Sequence, residues 1–301
     1  MWPEAREFLE ARAGRVSERT LASDAWYLAR FFAFCEGLAL ARLKPAHLAR
    51  YSLWLSQQPG RWSRAQLSSA CRYRSVQTAR FFLVWAGRQG HTLHDFSTVP
   101  LPSKARSLPR VVPVEEARRV LEEPDLDRPT GLRDRLLFEF FYVLGLRRGE
   151  CHRLHLDDLD LRAGTVRVLG KGGRPRLMPL SPALRPWLEA YLEEGRPRLQ
   201  PRAGETALWI ASHGGQLGYA SLAVRLRRYA ELHPHALRHA CATHLLEGGA
   251  PLPYVQKLLG HARLGSTQLY TRVSVGELHR EFRRCHPRAR FPEDHHAGSL
   301  P

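Results

Sequence analysis

A proline-rich stretch without acidic residues divides this sequence into two parts. Between Ser97 and Pro113 the residues read STVPLPSKARSLPRVVP, with four prolines, three basic residues and no acid. Proline lacks a backbone donor and disfavours helix in the residue before it, so this stretch predicts an extended linker. With 301 residues, the chain is long enough for a domain on each side. We expect a domain at 1–98, a linker at 99–112, a second domain at 113–287 and a loosely ordered tail at 288–301.

Helical periodicity dominates the first domain. Ser17 is suited to cap a helix over ERTLASDAWYLARFFAFCEG, where apolar residues recur at helical spacing until Gly37. Pro45 can open a second helix through AHLARYSLWLSQQ, and a third precedes Gly87. These patterns predict a small, all-helical domain.

The second domain mixes helices with a short hairpin. VEEARRVL and LRDRLLFEFFYVLG have helical periodicity, and Gly145 can end the second of these helices. Residues 165–169 and 176–180 alternate like strands around the glycine-rich turn GKGGRP, and ALWIAS is a further strand candidate. The residues from Tyr219 to Cys285 are typical of short helices. The prediction is a mainly α, two-domain protein whose second domain is α+β with a small antiparallel sheet.

Positive charge indicates the partner. The chain has 46 Lys and Arg against 29 Asp and Glu, a net charge of +17. Residues 1–110 hold 17 of these basic residues and 7 of the acidic ones, so the first third is the denser in positive charge. Such an excess attracts polyphosphates and releases their counterions, which favours nucleic acid as the partner. A compositional bias of the genome is the alternative explanation of the charge.

Cysteine content and hydropathy restrict the class further. The five cysteines are odd in number and form no C-x-x-C pair, so we expect reduced core residues rather than disulfides or a cysteine zinc site. No apolar run reaches the length of a membrane span, and the first residues carry acids instead of a signal peptide's apolar stretch. We therefore expect a cytoplasmic protein without a membrane partner.

Four polar clusters in the second domain could carry chemistry: GLRRGE (145–150), GKGGR (170–174), HALRH (235–239) and LLGHARLGSTQLYTRV (258–273). Each has an ordinary structural explanation. Arg147 could bind the last carbonyls of a helix, and Lys171 could be a solvated turn residue. His235 could cap a helix, and Tyr270 could be a core residue with a wet hydroxyl.

Together the clusters suit phosphoryl transfer to a protein hydroxyl. A phosphodiester gains charge on its nonbridging oxygens in the transition state, and without a metal this charge must be stabilised by fixed cations. Arginine binds phosphate oxygens bidentately and stays charged at any working pH. A lysine at a hairpin tip can protonate the leaving oxygen, and a histidine can accept the proton of a nucleophilic phenol. All these residue types are present.

At these clusters the sequence closely resembles the tyrosine recombinase (phage integrase) family, particularly its bacterial Xer-like branch. The matching segments are GLRRGE followed by LHLDDLDL, VRVLGKGGRPRLMPL, HALRHACATHLLEGGA and VQKLLGHARLGSTQLYTRV, in the family's order and roughly its spacing. The resemblance covers roughly residues 3–287. It implies an N-terminal helical core-binding domain (SAM-like) and a catalytic domain of the DNA breaking-rejoining fold, whose C-terminal helix is exchanged between subunits.

Residue roles follow from the resemblance. It implies that Arg147 and Arg238 clamp the scissile phosphate and that Tyr270 attacks it. Lys171 would be the general acid on the hairpin, and His235 the general base.

Two further positions complete the implied site. His261 would hydrogen-bond a phosphate oxygen or pack against the nucleophile's helix, and Glu150 would orient the site from behind Arg147. The resemblance implies neither metal nor nucleotide cofactor. It implies double-stranded DNA with inverted half-sites as the substrate, bound by a dimer and synapsed by a tetramer, either of one chain or paired with a second recombinase.

The sequence departs from the family's pattern in a few places. Arg148 stands where relatives often have a small or apolar residue, and Cys151 and Cys241 replace bulkier ones. The connection before His235 is shorter than is usual, so we expect a trimmed surface loop that could change how His235 and Arg238 are presented.

Several alternatives stay open at this point. One is a DNA-binding or architectural protein without catalysis, and another is a type IB topoisomerase, against which the N-terminal domain and terminal helix argue. A third is a histidine-ligated zinc enzyme, suggested by His235 and His239 at i, i+4. The segment HALRH, however, lacks the glutamate of the zinc motif H-E-x-x-H. For a recombinase, the task could be chromosome dimer resolution, plasmid maintenance or movement of a mobile element.

Overall fold

A computed structural model describes residues 2–59, 66–103, 111–170, 173–230, 232–260 and 275–290. The chain forms two compact units, residues 1–108 and 109–301. Both are mainly helical. The strands of the described ranges all lie in the second unit, as the fold class predicts.

In the described part of the first unit, four α-helices pack around an aromatic core. They are α1 (Pro3–Arg12), α2 (Glu18–Phe34), α3 (Pro45–Ser56) and α4 (Ser69–Arg88). Phe31 on α2, Tyr51 on α3 and Phe82 on α4 are fully buried. The rings of Phe31 and Tyr51 lie 5.0 Å apart, edge to face, and Phe8 of α1 meets Phe82 at 5.6 Å. These contacts hold the helices together through large apolar surfaces.

Capping residues set the helix starts in this unit. The Ser17 hydroxyl accepts a hydrogen bond from the backbone N–H of Thr20 at 3.3 Å, which confirms the predicted N-cap of α2. Pro45 opens α3, also as predicted. Helix α1 is not predicted from the sequence, because only Ala5 and Phe8 of its ten residues are buried and the apolar periodicity is correspondingly weak.

The second unit is built around one buried helix. This helix is α6 (Pro129–Tyr142), in which every residue from Gly131 to Tyr142 is buried. The other α-helices in the described ranges of this unit are α5 (Val114–Glu122), α7 (Arg148–His152), α8 (Arg185–Ala190), α9 (Arg196–Arg198), α10 (Tyr219–Ala230), α11 (Pro234–Glu247), α12 (Leu252–Leu259) and α13 (Val275–Cys285). A π-helical turn, Tyr191–Gly195, joins α8 to α9. The sequence patterns predict α5, α6 and the helices after Tyr219, but not α8 and α9.

A three-stranded antiparallel sheet stands beside these helices. Its strands are β1 (Leu159–Asp160), β2 (Thr165–Leu169) and β3 (Pro175–Pro179), in the order β1-β2-β3. The predicted hairpin is confirmed: Val168 pairs with Arg176, and Val166 pairs with Met178. Gly170 donates its N–H to the Arg174 carbonyl at 2.9 Å, so the hydrogen bonds between the two segments extend one residue beyond β2.

The prediction of a strand at ALWIAS is wrong. These residues make only single bridges, His155 to Ala207 and Ile210 to Gln216. Their backbone groups bond partly to other loop backbone and partly to side chains: the Leu208 N–H donates to the Leu154 carbonyl at 2.9 Å, and Arg133 Nη1 donates to the Ile210 carbonyl at 2.8 Å. An apolar segment can therefore be buried without joining a sheet, provided that its backbone groups find other partners.

The predicted start of the tail at 288 is also wrong. Residues 287–290 form a 3₁₀ turn that follows α13, and His286 and Arg288 are buried. Arg288 Nε donates to Glu139 Oε1 of α6 at 2.9 Å. The buried ion pair fixes the chain to the central helix beyond His286.

Among the described helices, none combines the length and the apolarity that a membrane crossing requires.

Candidate functional site

Arg147 lies at the start of α7, immediately after a turn that requires glycine. Gly145 has φ +56°, and a Cβ there would lie 2.5 Å from Cδ2 of Leu259. Arg147 Nη1 donates to Glu150 Oε1 at 2.7 Å, and its backbone N–H donates to Oε2 at 2.9 Å. Its Nη2 donates to the Gly260 carbonyl at 3.1 Å. The side chain keeps 33% of its surface exposed, so it is held in place but still reachable.

Arg238 on α11 reaches the same place from another element. Its Nη2 donates to the Leu259 carbonyl at 2.7 Å, and its Nη1 donates to the Gly145 carbonyl. The side chain is only 9% exposed. Burial, and then the charge of Arg147, lower the pKa of Arg238 to about 10, so the guanidinium stays protonated at neutral pH. Arg238 and Arg147 thus donate to adjacent carbonyls, those of Leu259 and Gly260.

Glu150 lies within 4 Å of both cations and is almost fully buried. Burial acts to raise the pKa of this carboxyl, but the hydrogen bonds and charges of Arg176 and Arg147 outweigh it and hold the pKa below its ordinary value. Glu150 is therefore ionised at neutral pH. Glu150 contacts Arg147 at 2.7 Å, and its orienting role stays a prediction.

Arg176 is a member of this cluster that sequence reasoning missed. It lies on β3, and its Nη1 and Nη2 donate to the two oxygens of Glu150 at 3.1 and 2.9 Å. From the sequence it is only a strand residue after the glycine-rich turn, and no local spacing predicts a contact with a residue 26 positions earlier. The described cluster thus holds three guanidinium groups and one carboxylate, an excess of positive charge suited to an anionic substrate.

His235 occupies the first turn of α11, with much of its surface exposed. The buried part of the ring lowers its pKa, and the charges of Arg238, Arg148 and Arg147 act in the same direction. The imidazole is therefore neutral at physiological pH, and it can accept a proton.

Arg148 and Cys241, two of the departures noted in the sequence, do not obstruct the cluster. Arg148 stacks on the ring of Tyr219, with Cζ 4.0 Å from the ring centroid. Cys241 is buried, and its Sγ would lie 3.3 Å from a Cβ at Gly145. A bulkier side chain at 241 would press on this turn.

Lys171, His261 and Tyr270 lie outside the described residues, so their predicted roles stay predictions. The structure brings together Arg147, Arg238 and Glu150, with His235 close enough for its pKa to respond to both arginines. Within the described ranges, no three His, Cys, Asp or Glu side chains converge as metal ligands would.

Solved structures of DNA recombinases have the same fold. The chain is similar to a lambda integrase dimer bound to a COC′ core site, with a TM-score of 0.65 and 16% identity over 86% of this chain and 73% of that one. It is also similar to the XerH site-specific recombinase bound to its difH substrate in a pre-cleavage complex. For XerH the TM-score is 0.58, with 22% identity over 92% of this chain and 82% of that one. The fold is therefore that of the tyrosine recombinases.

The sequence comparisons identify the family. Residues 110–277, more than half of the chain, match the model of the phage integrase family. The tyrosine recombinase XerD of Staphylococcus epidermidis is 36% identical over 230 residues, 74% of this chain and 78% of the relative. XerD of Lacticaseibacillus casei is 38% identical over 223 residues, 71% and 76% of the two chains. The chain belongs to the phage integrase family and is a tyrosine recombinase, which confirms the resemblance noted in its sequence.

Proposed function

We propose that this protein is a site-specific DNA recombinase that cuts and rejoins strands through a 3′-phosphotyrosine at Tyr270. The observation that carries the proposal is the convergence of Arg147 and Arg238 on one small region. These two residues donate to the successive carbonyls of Gly260 and Leu259. Each guanidinium has five N–H donors, so these contacts leave donors for phosphate oxygens.

The cleavage step uses the two arginines as a phosphate clamp. The Tyr270 hydroxyl attacks phosphorus, and His235, neutral at the working pH, accepts the phenolic proton. The bond from phosphorus to the 5′-oxygen breaks, and Lys171 protonates that oxygen as it leaves. Arg147 and Arg238 stabilise the charge on the nonbridging oxygens, which is strongest in the transition state. His261 binds one of these oxygens or supports the nucleophile's helix.

Rejoining is the reverse reaction on a different strand. A 5′-hydroxyl from the partner duplex attacks the phosphotyrosine and gives its proton to Lys171, which cleavage left neutral. The bond from phosphorus to the Tyr270 oxygen breaks, and the phenol leaves with the proton returned by His235. The ester of Tyr270 retains the energy of the original phosphodiester bond, so strand exchange through a Holliday junction needs no nucleotide. The chemistry described here also uses no metal, because fixed guanidinium groups provide the positive charge.

We further propose that the protein binds inverted half-sites as a dimer and joins two sites as a tetramer. Two solved relatives support this assembly: a lambda integrase dimer bound to a core site and a lambda integrase tetramer bound to a Holliday junction. The candidate exchanged element is the segment 276–285. Here α13 packs on its own unit through the buried Leu278 and Phe282, so exchange would require these side chains to leave one subunit and enter another.

Chromosome dimer resolution in the cytoplasm is the task we favour, because the sequence relatives are named XerD. A deletion strain should then form filaments with unseparated chromosomes. Normal division of the deletion strain, together with loss of movement of a resident phage or transposon, would assign the protein to a mobile element instead.

The decisive experiment traps the covalent intermediate. Protein is incubated with sheared genomic DNA, covalent adducts are sequenced, and the recovered site is rebuilt as a nicked suicide substrate. We expect an adduct with the unmodified protein and none with Tyr270→Phe. With Arg238→Ala, the cleavage rate should fall by at least about 100-fold.

Three outcomes would contradict the proposal. An adduct that persists in Tyr270→Phe would overturn the nucleophile. Tight DNA binding without any adduct would indicate a DNA-binding protein without catalysis. Rapid relaxation of arbitrary supercoiled plasmid by the monomer would indicate a topoisomerase.

A further inference from the structure

Arg176 makes a two-pronged contact with the carboxylate at the centre of the cluster. Its Nη1 and Nη2 lie 3.1 and 2.9 Å from Oε1 and Oε2 of Glu150. This fork-to-fork arrangement fixes the plane of the carboxylate as well as its distance. The contact joins β3 of the hairpin to α7, the helix that begins beside Arg147.

The Glu150 carboxylate accepts hydrogen bonds from both Arg176 and Arg147. Arg147 Nη1 approaches Oε1 at 2.7 Å, and Arg238 Nη1 lies 3.9 Å from Oε2. If Glu150 had Arg147 as its main partner, the ion pair would use up the positive charge that a phosphate needs. With Arg176 as a second counter-ion, Glu150 can hold Arg147 in position while the cluster keeps an excess of positive charge.

Arg176 differs from the other two arginines in its hydrogen-bond partners. Arg147 and Arg238 each donate to a carbonyl at the end of α12, whereas both terminal nitrogens of Arg176 donate to Glu150. The Arg176 guanidinium also lies against Gly260, where a Cβ would be only 3.1 Å from Cζ. These contacts direct Arg176 to the carboxylate and suit a supporting role.

We propose that Arg176 is a positioning residue, which neutralises and orients Glu150 so that Arg147 is held ready for the scissile phosphate. This inference rests on the proposed function, because it assigns Arg176 a part in the same cleavage step. It adds a residue that acts through Glu150 and does not touch the substrate.

The test is a double-mutant cycle on single-turnover cleavage of the suicide substrate. Arg176→Gln should slow cleavage by roughly tenfold in the parent protein, a typical coupling for residues in one hydrogen-bond network. In the Glu150→Gln background the same change should slow cleavage by less than about threefold, because the partner is already gone. Arg176→Lys, which keeps the charge but loses the fork, should restore part of the rate.

The pH profile separates positioning from general damage. The groups facing Glu150 among the described residues are Arg147 and Cys151 on α7, Arg176 on β3 and Arg238 on α11. Without Arg176, the upward effect of burial on the pKa of Glu150 meets less opposition. Relative to the parent protein, the variant should therefore lose more activity at low pH than at high pH. Affinity for DNA should stay within about twofold at either pH, because Arg176 does not contact the substrate.

Arg153→Gln is the matched control. Arg153 also joins α7 to the hairpin, through a 2.9 Å hydrogen bond from Nη2 to the Leu169 carbonyl, and it is exposed. Its variant should cleave at the parent rate.

Equal loss from Arg176→Gln at every pH and in both backgrounds would overturn the inference, as would an unchanged rate. If the parent protein forms no Tyr270-dependent adduct, the proposed function fails instead. The same four proteins are then compared by their equilibrium constants of unfolding. A coupling between Arg176 and Glu150 below about threefold in that constant would overturn the inference as well.

Discussion

Lowering the pH should destabilise the second unit through one buried histidine. His286 has no exposed surface and stacks on Phe282, with ring centroids 4.6 Å apart. Its Nδ1 accepts a hydrogen bond from the backbone N–H of Arg288 at 3.1 Å. Burial lowers the pKa of His286 to about 3, and the charges of His244 and Arg288 act in the same direction, against a backbone contact with Tyr142.

The size of the effect follows from the difference between folded and unfolded pKa values. In the unfolded chain a histidine has a pKa of about 6.5. Below that pH the unfolded state therefore binds a proton that the folded state does not bind. The free energy of unfolding should therefore fall by up to ~1.4 kcal/mol per pH unit between about pH 6 and pH 3. At about pH 4 the accumulated loss from this single group is roughly 3 kcal/mol, a large part of the stability of an ordinary domain.

His286→Phe is the suitable variant, because it keeps an aromatic ring between its neighbours but cannot take up a proton. Unfolding in urea would be followed by hydrogen exchange of peptides from α6, which report on the second unit alone. The variant loses the hydrogen bond from Arg288 and should be the less stable protein at about pH 7.5. This deficit should shrink by about 1 kcal/mol per unit as the pH falls below 6. A deficit that stays constant down to about pH 4.5 would refute the reasoning, since other titrating groups cancel in the comparison.

Three further predictions concern single contacts. Gly145→Ala should lower the free energy of unfolding by about 2 kcal/mol more than Gly164→Ala, because both glycines have positive φ but only a Cβ at 145 meets neighbours; equal losses in urea unfolding would contradict this. Ser17→Ala should cost about 1 kcal/mol in the first unit and leave hydrogen exchange in α6 unchanged. Arg288→Met should cost about 3 kcal/mol, because it removes a partner of the buried Glu139 carboxylate; a loss below about 1 kcal/mol in urea unfolding would show that this ion pair contributes little.

Local signals in the sequence predict much of the fold. The cap at Ser17 and the pairing of β2 with β3 depend on residues close together in the sequence, and both are confirmed. The ALWIAS segment and the chain after His286 are different, because their environments depend on partners far away in the sequence. Arg133 supplies one hydrogen bond to the first of these segments, and Glu139 pairs with the second. Local periodicity carries no information about such contacts.

The contacts of the candidate site also include some that local sequence predicts and some that it does not. The Arg147–Glu150 contact spans three residues, which is the spacing of neighbours on a helix. The Arg176–Glu150 contact spans 26 residues and depends on how the hairpin packs against α7. The roles of Lys171, His261 and Tyr270 stay predictions from the resemblance.

The end of α12 links the two arginines mechanically. Arg238 is bound to the carbonyl of Leu259, and Arg147 to that of Gly260, so the two guanidinium groups are attached to adjacent peptide units. A displacement of this helix end shifts both attachment points at once, and the spacing between the two cations is preserved while their common position changes. Substitutions that shift α12 should therefore impair both cations together, as a single lesion at a distance from either side chain.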